Sequence, residues 1–362
     1  MFGRKKTFKK EFKEVFKESK DLFSFKWFKY TIISLIVFLV AGSFLFYINF
    51  PVPDKNIEYG LNFSHLYAEE MGLDWRESYI KILDELQPSS IRLVAYWDRI
   101  ETKNDEYDYS YLKWQVEEAQ KRNVNVILAA GKKVPRWPEC FEPAWWGDLP
   151  SDAAREIELL DFIKTTVNEF KGYDNIKIWQ IENEPFFPFG FCSQFKATTL
   201  KKETDLVKSM DARPILIQDS GEGGLWFRNY MYGDYLGISM YRKIWYDFWG
   251  AFLGEFIYFT YPLPSWSYKM KALLLGIPYQ NIYVTELQGE PWGPGLNSKL
   301  SQEDKDHTMS VNDFINTISY AQRSGFKHIY FWGAEWWLWE KEKNNNPFYW
   351  DSAKALFRSS NR

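Results

Sequence analysis

Ile176-Lys177-Ile178-Trp179-Gln180-Ile181-Glu182-Asn183-Glu184-Pro185 is an apolar run that stops on a carboxylate. Its Ile and Trp residues read as a strand buried on both faces. Pro185 has no N–H to give to a ladder, so the strand ends before it. A Glu at the C-terminal end of such a strand lies where parallel barrels carry their chemistry. One carboxylate does little alone, so the fold and the site both turn on whether a second one closes another strand.

Outward from this run, the chain alternates short apolar segments with amphipathic ones. Strands are predicted near residues 59–63, 91–96, 124–129, 176–181, 214–218, 235–240, 282–285 and 328–331, each rich in β-branched or aromatic residues. Helical spacing is clearest over residues 111–121, 154–170, 201–210 and 311–323. Eight strand–helix units fit an α/β fold of the (β/α)8 TIM-barrel type over residues 57–362 better than a doubly wound sheet. The connection at 241–266 is long and aromatic. It reads either as an elaborated loop and helix over the cleft or as a surface that dips into a membrane.

Composition bounds the partners. Of 362 residues, 46% are hydrophobic and 26% charged, enough apolar content for a sizeable core. Aromatics make up 20%, with 18 Trp, which serves a thick aromatic core, a ring-lined cleft, or both. The net charge of −3 hides an asymmetry: residues 1–29 carry ten Lys/Arg against four Asp/Glu, leaving a balance of −9 in the rest. An acidic main body excludes nucleic acid as the expected partner. Residues 30–50 contain no charged side chain and are long enough to span a bilayer. With the basic block before them, they predict a signal-anchor: 1–29 cytoplasmic, 30–50 transmembrane, 51–56 a linker, and an extracytoplasmic domain beyond. A cleaved signal peptide fits less well, because both the basic and the apolar stretches are too long. Within 1–29, phenylalanines recur at helical spacing among lysines, as in a basic amphipathic helix or a solvated tail.

The second strand-end carboxylate is Glu286, in Ile282-Tyr283-Val284-Thr285-Glu286-Leu287-Gln288. It closes the seventh predicted strand as Glu184 closes the fourth. Retaining glycosidases use two carboxyl groups roughly 5 Å apart, one attacking the anomeric carbon and one passing protons. Asn183-Glu184-Pro185 on strand four with Glu286 on strand seven resembles the retaining glycoside hydrolases of clan A. The likeness is to family 5, with features of families 39 and 42, and covers residues 57–362. The resemblance implies Glu184 as acid/base and Glu286 as nucleophile. It implies Asn183 against the sugar 2-hydroxyl, Arg92 beside the nucleophile, Tyr241 orienting it, and Trp332 under the sugar at the cleavage point. It also implies an oligo- or polysaccharide substrate with β-linkages and no cofactor or metal.

The sequence departs from family 5 at Ser239, two residues before Tyr241, and at Ala129-Ala130-Gly131-Lys132, where histidines are frequent. Glu290 and Glu335 are rival nucleophiles, and Arg92 is alternatively a plain core ion pair. Glu182 reads as a hydrogen-bonding group of the barrel interior. Trp137 and Trp292 lie on predicted mouth loops, as sugar platforms or as loop packing. Cys140 and Cys192 follow strands three and four, whose loops are neighbours, so they either pair or remain two thiols. Transglycosylation on the same carboxylates and a non-catalytic carbohydrate-binding barrel are the alternative functions.

Overall fold

A computed structural model describes residues 26–47, 57–193, 195–246 and 257–360. The chain divides into two units, Met1–Phe50 and Pro51–Arg362. In the first, a helix runs over Lys26–Tyr47. Its apolar side chains at 32–40 are exposed, Phe38 at 74%. The expected crossing over 30–50 is not found: among the described residues, no helix is long and apolar enough to cross a membrane. The expected basic amphipathic helix and the linker at 51–56 lie outside the described residues.

In the second unit eight strands form a closed parallel barrel: β1 (Glu58–Asn62), β2 (Ser90–Val94), β3 (Asn125–Ala130), β4 (Ile176–Ile181), β5 (Ile215–Asp219), β6 (Tyr235–Met240), β9 (Ile282–Gln288) and β10 (His328–Trp332). Every neighbouring pair is parallel, and β10 closes on β1. All eight predicted strands are present, because strands buried on both faces read as unbroken apolar runs. The surrounding helices use local punctuation. Ser151 caps Asp152–Phe170. Ser310 and Asp313 form a capping box on Val311–Ser324, which Gly325 ends in a left-handed turn at φ 71°.

Two features differ from the sequence reading. The described parts of 241–266 hold an antiparallel strand pair, β7 (Lys243–Tyr246) with β8 (Ile257–Thr260), which the sequence reading did not include; residues 247–256 lie outside the described residues. And β4 ends at Ile181, three residues short of Glu184. Glu182 and Glu184 both have positive φ, 61° and 47°, so the backbone has left strand geometry there. Of the eight non-glycine residues with positive φ among those described, four, Arg136, Glu139, Glu182 and Glu184, lie on the loops after β3 and β4. Such clustering of left-handed backbone is typical of sites that the surrounding structure over-determines.

Candidate active site

Arg92, fully buried on β2, is the hub of the barrel's C-terminal mouth. A guanidinium has five N–H groups in a fixed fork, and each finds an acceptor. Nε donates to Gln180 Oε1 at 2.6 Å. Nη1 donates to Asn62 Oδ1 at 3.0 Å and to Glu286 Oε1 at 2.8 Å. Nη2 donates to Asn183 Oδ1 at 2.9 Å and to Gln218 Oε1 at 2.6 Å. Five strands therefore converge on one cation: β1 and β2, β5 and β9, and β4 with its following loop.

Glu286 takes two further bonds. Gln218 Nε2 donates to its Oε1 at 2.7 Å, and the Tyr241 hydroxyl lies 3.4 Å from Oε2. A register shift opposite β6 passes from Ile238–Val284 to Ser239–Glu286, and another lies opposite β10. A bulge of this kind re-aims a side chain. Tyr241 is held in turn through its backbone N–H, which donates to Glu222 Oε1 at 3.0 Å. Burial, then the Glu286 charge, keeps the Tyr241 hydroxyl protonated well above its ordinary range, so it remains a donor.

Glu184 is as deeply placed but differently served. Among the described residues, only the Ser239 hydroxyl hydrogen-bonds its carboxyl, donating to Oε1 at 3.3 Å. Burial, followed by the negative charges of Glu139 and Glu286, raises its pKa well above the carboxylate range. Ser239, where the sequence departs from family 5, thus contacts Glu184. Lys133, itself buried, donates to the backbone carbonyls of Glu184 at 2.9 Å and Phe187 at 3.0 Å, clamping the turn. Glu182 accepts the backbone N–H groups of Lys132 at 2.9 Å and Lys133 at 2.7 Å. Gly131 leaves room for that carboxylate: a Cβ there would lie 2.4 Å from Glu182 Oε1, and its φ is 143°.

The rival carboxylates are engaged elsewhere. Glu290 Oε1 accepts from Arg136 Nη1 at 2.8 Å and from Trp332 Nε1 at 2.9 Å. Glu335 faces Arg136 at 3.8 Å and accepts the Ser64 N–H. The Arg136 guanidinium lies over the Trp332 ring, 4.3 Å from its centroid, so one face of that indole is already covered. Trp292 packs edge-on against Tyr241 at 5.0 Å and against Phe189 at 5.6 Å. Phe189 meets Trp137 at 5.8 Å, and Trp137 meets Phe191 at 4.8 Å. These rings form a row from the nucleophile candidate's tyrosine to the outer rim, where Trp137 is 55% exposed. Beyond Trp137 lies a cavity of about 550 Å³ bounded by His65, Tyr111, Arg136 and Phe141; neither Glu184 nor Glu286 lines it. Cys140 and Cys192 are disulfide-bonded, Cα atoms 5.4 Å apart, tying the loops after β3 and β4 together. Among the described residues, no cluster of His, Cys, Asp and Glu is disposed to hold a metal ion.

The structure thus gathers Arg92, Asn183, Glu184, Tyr241 and Glu286 at one mouth, with Trp292 against Tyr241, Trp332 bonded to Glu290, and Trp137 at the exposed rim. Sequence reasoning missed Asn62, Gln180 and Gln218, whose signal was a polar residue within an otherwise apolar strand. It also missed Lys133 and Glu139, loop positions with no periodicity to mark them.

No family model matches the chain, and no curated protein matches it in sequence. Solved structures do. A xylanase 10B from Thermotoga petrophila RKU-1, crystallised with xylobiose, superposes over 84% of this chain and 95% of its own with TM-score 0.54 at 18% identity. A GH5_18 protein from Streptomyces cattleya in complex with GlcNAc covers 76% of this chain and 70% of its own, TM-score 0.54, 11% identity. This chain has their barrel fold. A β-galactosidase from Marinomonas ef1 matches over 76% of this chain with TM-score 0.50 and 10% identity, and the chain spans about half of it, 54%.

Proposed function

We propose that this chain is a retaining glycoside hydrolase of clan A acting on a β-linked oligo- or polysaccharide. The observation that carries the reading is the opposed setting of two carboxyls at one barrel mouth. Glu286 is held by Arg92 and Gln218, whereas Glu184 is buried among other carboxyls with only a hydroxyl donor. Environments that push two carboxyls apart in protonation assign acid and nucleophile.

In the first step Glu286 attacks the anomeric carbon while Glu184 gives its proton to the departing glycosidic oxygen. The glycosyl–Glu286 ester forms as the glycosidic bond breaks. In the second step Glu184, now a carboxylate, takes a proton from water, and the hydroxide displaces Glu286 with overall retention. Asn183 is fixed by Arg92 on its Oδ1, and its Nδ2 has one N–H directed to Glu139 Oε1 at 3.4 Å. The second N–H is available for the sugar 2-hydroxyl. Among the neighbours, xylobiose is bound to the xylanase, GlcNAc to the Streptomyces cattleya GH5_18 protein and Manb1-4GlcNAc to a GH5_18 variant from Bifidobacterium longum. Those three define a first panel: xylo-, manno- and N-acetylglucosamine-containing β-oligosaccharides, with galactosides added. Incubation of the full-length protein with each, followed by proton NMR of the first-formed product, tests the reading. A β-anomer formed first supports it; an α-anomer contradicts it, and no turnover of any sugar favours a carbohydrate-binding barrel.

We propose further that the barrel works outside the cytoplasm. The disulfide, a bond of oxidising compartments, supports this placement. Protease added to intact cells should digest the barrel; full protection would contradict it.

A further inference from the structure

Glu139, which the sequence reading passed over, lies at the mouth between Lys133 and Asn183. We propose that Glu139 is a positioning residue that orients the Asn183 amide and, by ionising first, keeps the proton on Glu184. Its consequence for turnover rests on the hydrolase reading; the placement of the proton does not.

The geometry distinguishes the two members of the pair. Glu139 Oε2 faces the Lys133 ammonium at 3.4 Å, and Oε1 faces Asn183 Nδ2 at 3.4 Å. A cation and an amide donor favour the charged form of a carboxyl. Among the described residues, no cation or amide bonds the Glu184 carboxyl: it meets the Ser239 hydroxyl, and Lys133 donates instead to the backbone carbonyls of Glu184 and Phe187. Glu139 is therefore the first of the two to ionise, and Glu184 keeps its proton to higher pH, the form a general acid requires. Glu139 is fixed in this role. Its φ is 73°, its N–H donates to Arg136 O at 2.7 Å, its carbonyl accepts from Val134 at 2.8 Å, and the next residue is disulfide-bonded.

The charged groups facing Glu184 are Glu139 and Lys133 from the loop after β3, Glu286 from β9 and Asp219 from β5; those facing Glu139 are Lys133, Glu286 and Glu184 itself. Burial pushes Glu139 up to about 8 against the pull of Lys133. Glu184 is raised further, by burial and then by Glu139. Two such groups release their protons in steps that belong to the pair, and removal of one lowers the midpoint of the other.

The test is carbon NMR of the full-length protein labelled at glutamate Cδ, with Glu184→Gln identifying the Glu184 signal. Glu139→Gln keeps an acceptor for Asn183 and removes the charge. In it Glu184 should titrate lower by about one pH unit or more, and Glu139→Asp should return most of that shift. On methyl β-glycosides of glucose, mannose, galactose and xylose, the alkaline limb of kcat/KM should move acidward with it. An unchanged Glu184 midpoint in Glu139→Gln overturns the proposal. If that variant does not fold, Lys133→Gln decides: the Glu139 midpoint should rise, and an unchanged one overturns the proposal. A wild type that cleaves no glycoside yet shows these shifts refutes the hydrolase reading and leaves the charge assignment standing.

Discussion

Glu184 and Glu286 are both buried at the same rim, yet one sits among donors and the other among acceptors. Glu286 receives Arg92, Gln218 and Tyr241. Glu184 receives one hydroxyl and faces Glu139, Glu286 and Asp219. The difference shows that residue type does not assign the role; the second layer of side chains does. A buried carboxyl that faces other carboxyls, as Glu184 does, keeps its proton.

The sharpest way to break the comparison is at Glu286, the proposed nucleophile. Glu286→Gln should lower kcat on every glycoside by on the order of 10⁴-fold, measured against an activated aryl glycoside and an oligosaccharide. A smaller loss than that of Glu184→Gln would reverse the two roles. Glu184→Gln should cost about 10²–10⁴-fold on substrates with poor leaving groups and far less on activated aryl glycosides. Equal losses on both would remove its acid function.

The loop that carries Glu139 is pinned by Cys140–Cys192, which close 52 residues of sequence. Cys140→Ser should destabilise the fold by about 2–4 kcal/mol, read by denaturant unfolding. The smallest effect lies on the Glu286 side. Burial holds Glu222, which anchors the Tyr241 N–H, at about 7. A carboxyl raised above its unfolded value binds a proton in the native state that the unfolded chain has already released. Its stabilisation is therefore present at acidic pH and is lost as pH rises toward 7. Glu182 and Glu335, also near 7 through burial, act in the same direction. The melting temperature should fall between about pH 5 and about pH 8, and Glu222→Gln should flatten that slope.

The barrel was legible because its strands are continuous apolar runs, and the five-residue core of the site because strand-end positions carry a recognisable pattern. What the sequence hid follows from geometry without periodicity. Glu184 reads as the end of a strand, but β4 stops at Ile181 and left-handed residues carry the chain to it. Glu286 owes its aim to a bulge. Lys133 and Glu139 sit on a loop whose shape depends on a left-handed backbone and a disulfide partner 52 residues away. The strand pair of β7 with β8 was obscured because aromatic strands and aromatic helices look alike over short runs.

The most direct test is covalent trapping. The full-length protein is incubated with activated 2-deoxy-2-fluoro β-glycosides of glucose, mannose, galactose and xylose, then digested and mapped by mass spectrometry. A retaining mechanism through this site predicts one glycosyl adduct, on Glu286, absent from Glu286→Gln. An adduct on Glu184, Glu290 or Glu335, or a folded protein that traps none of the four sugars, would contradict it.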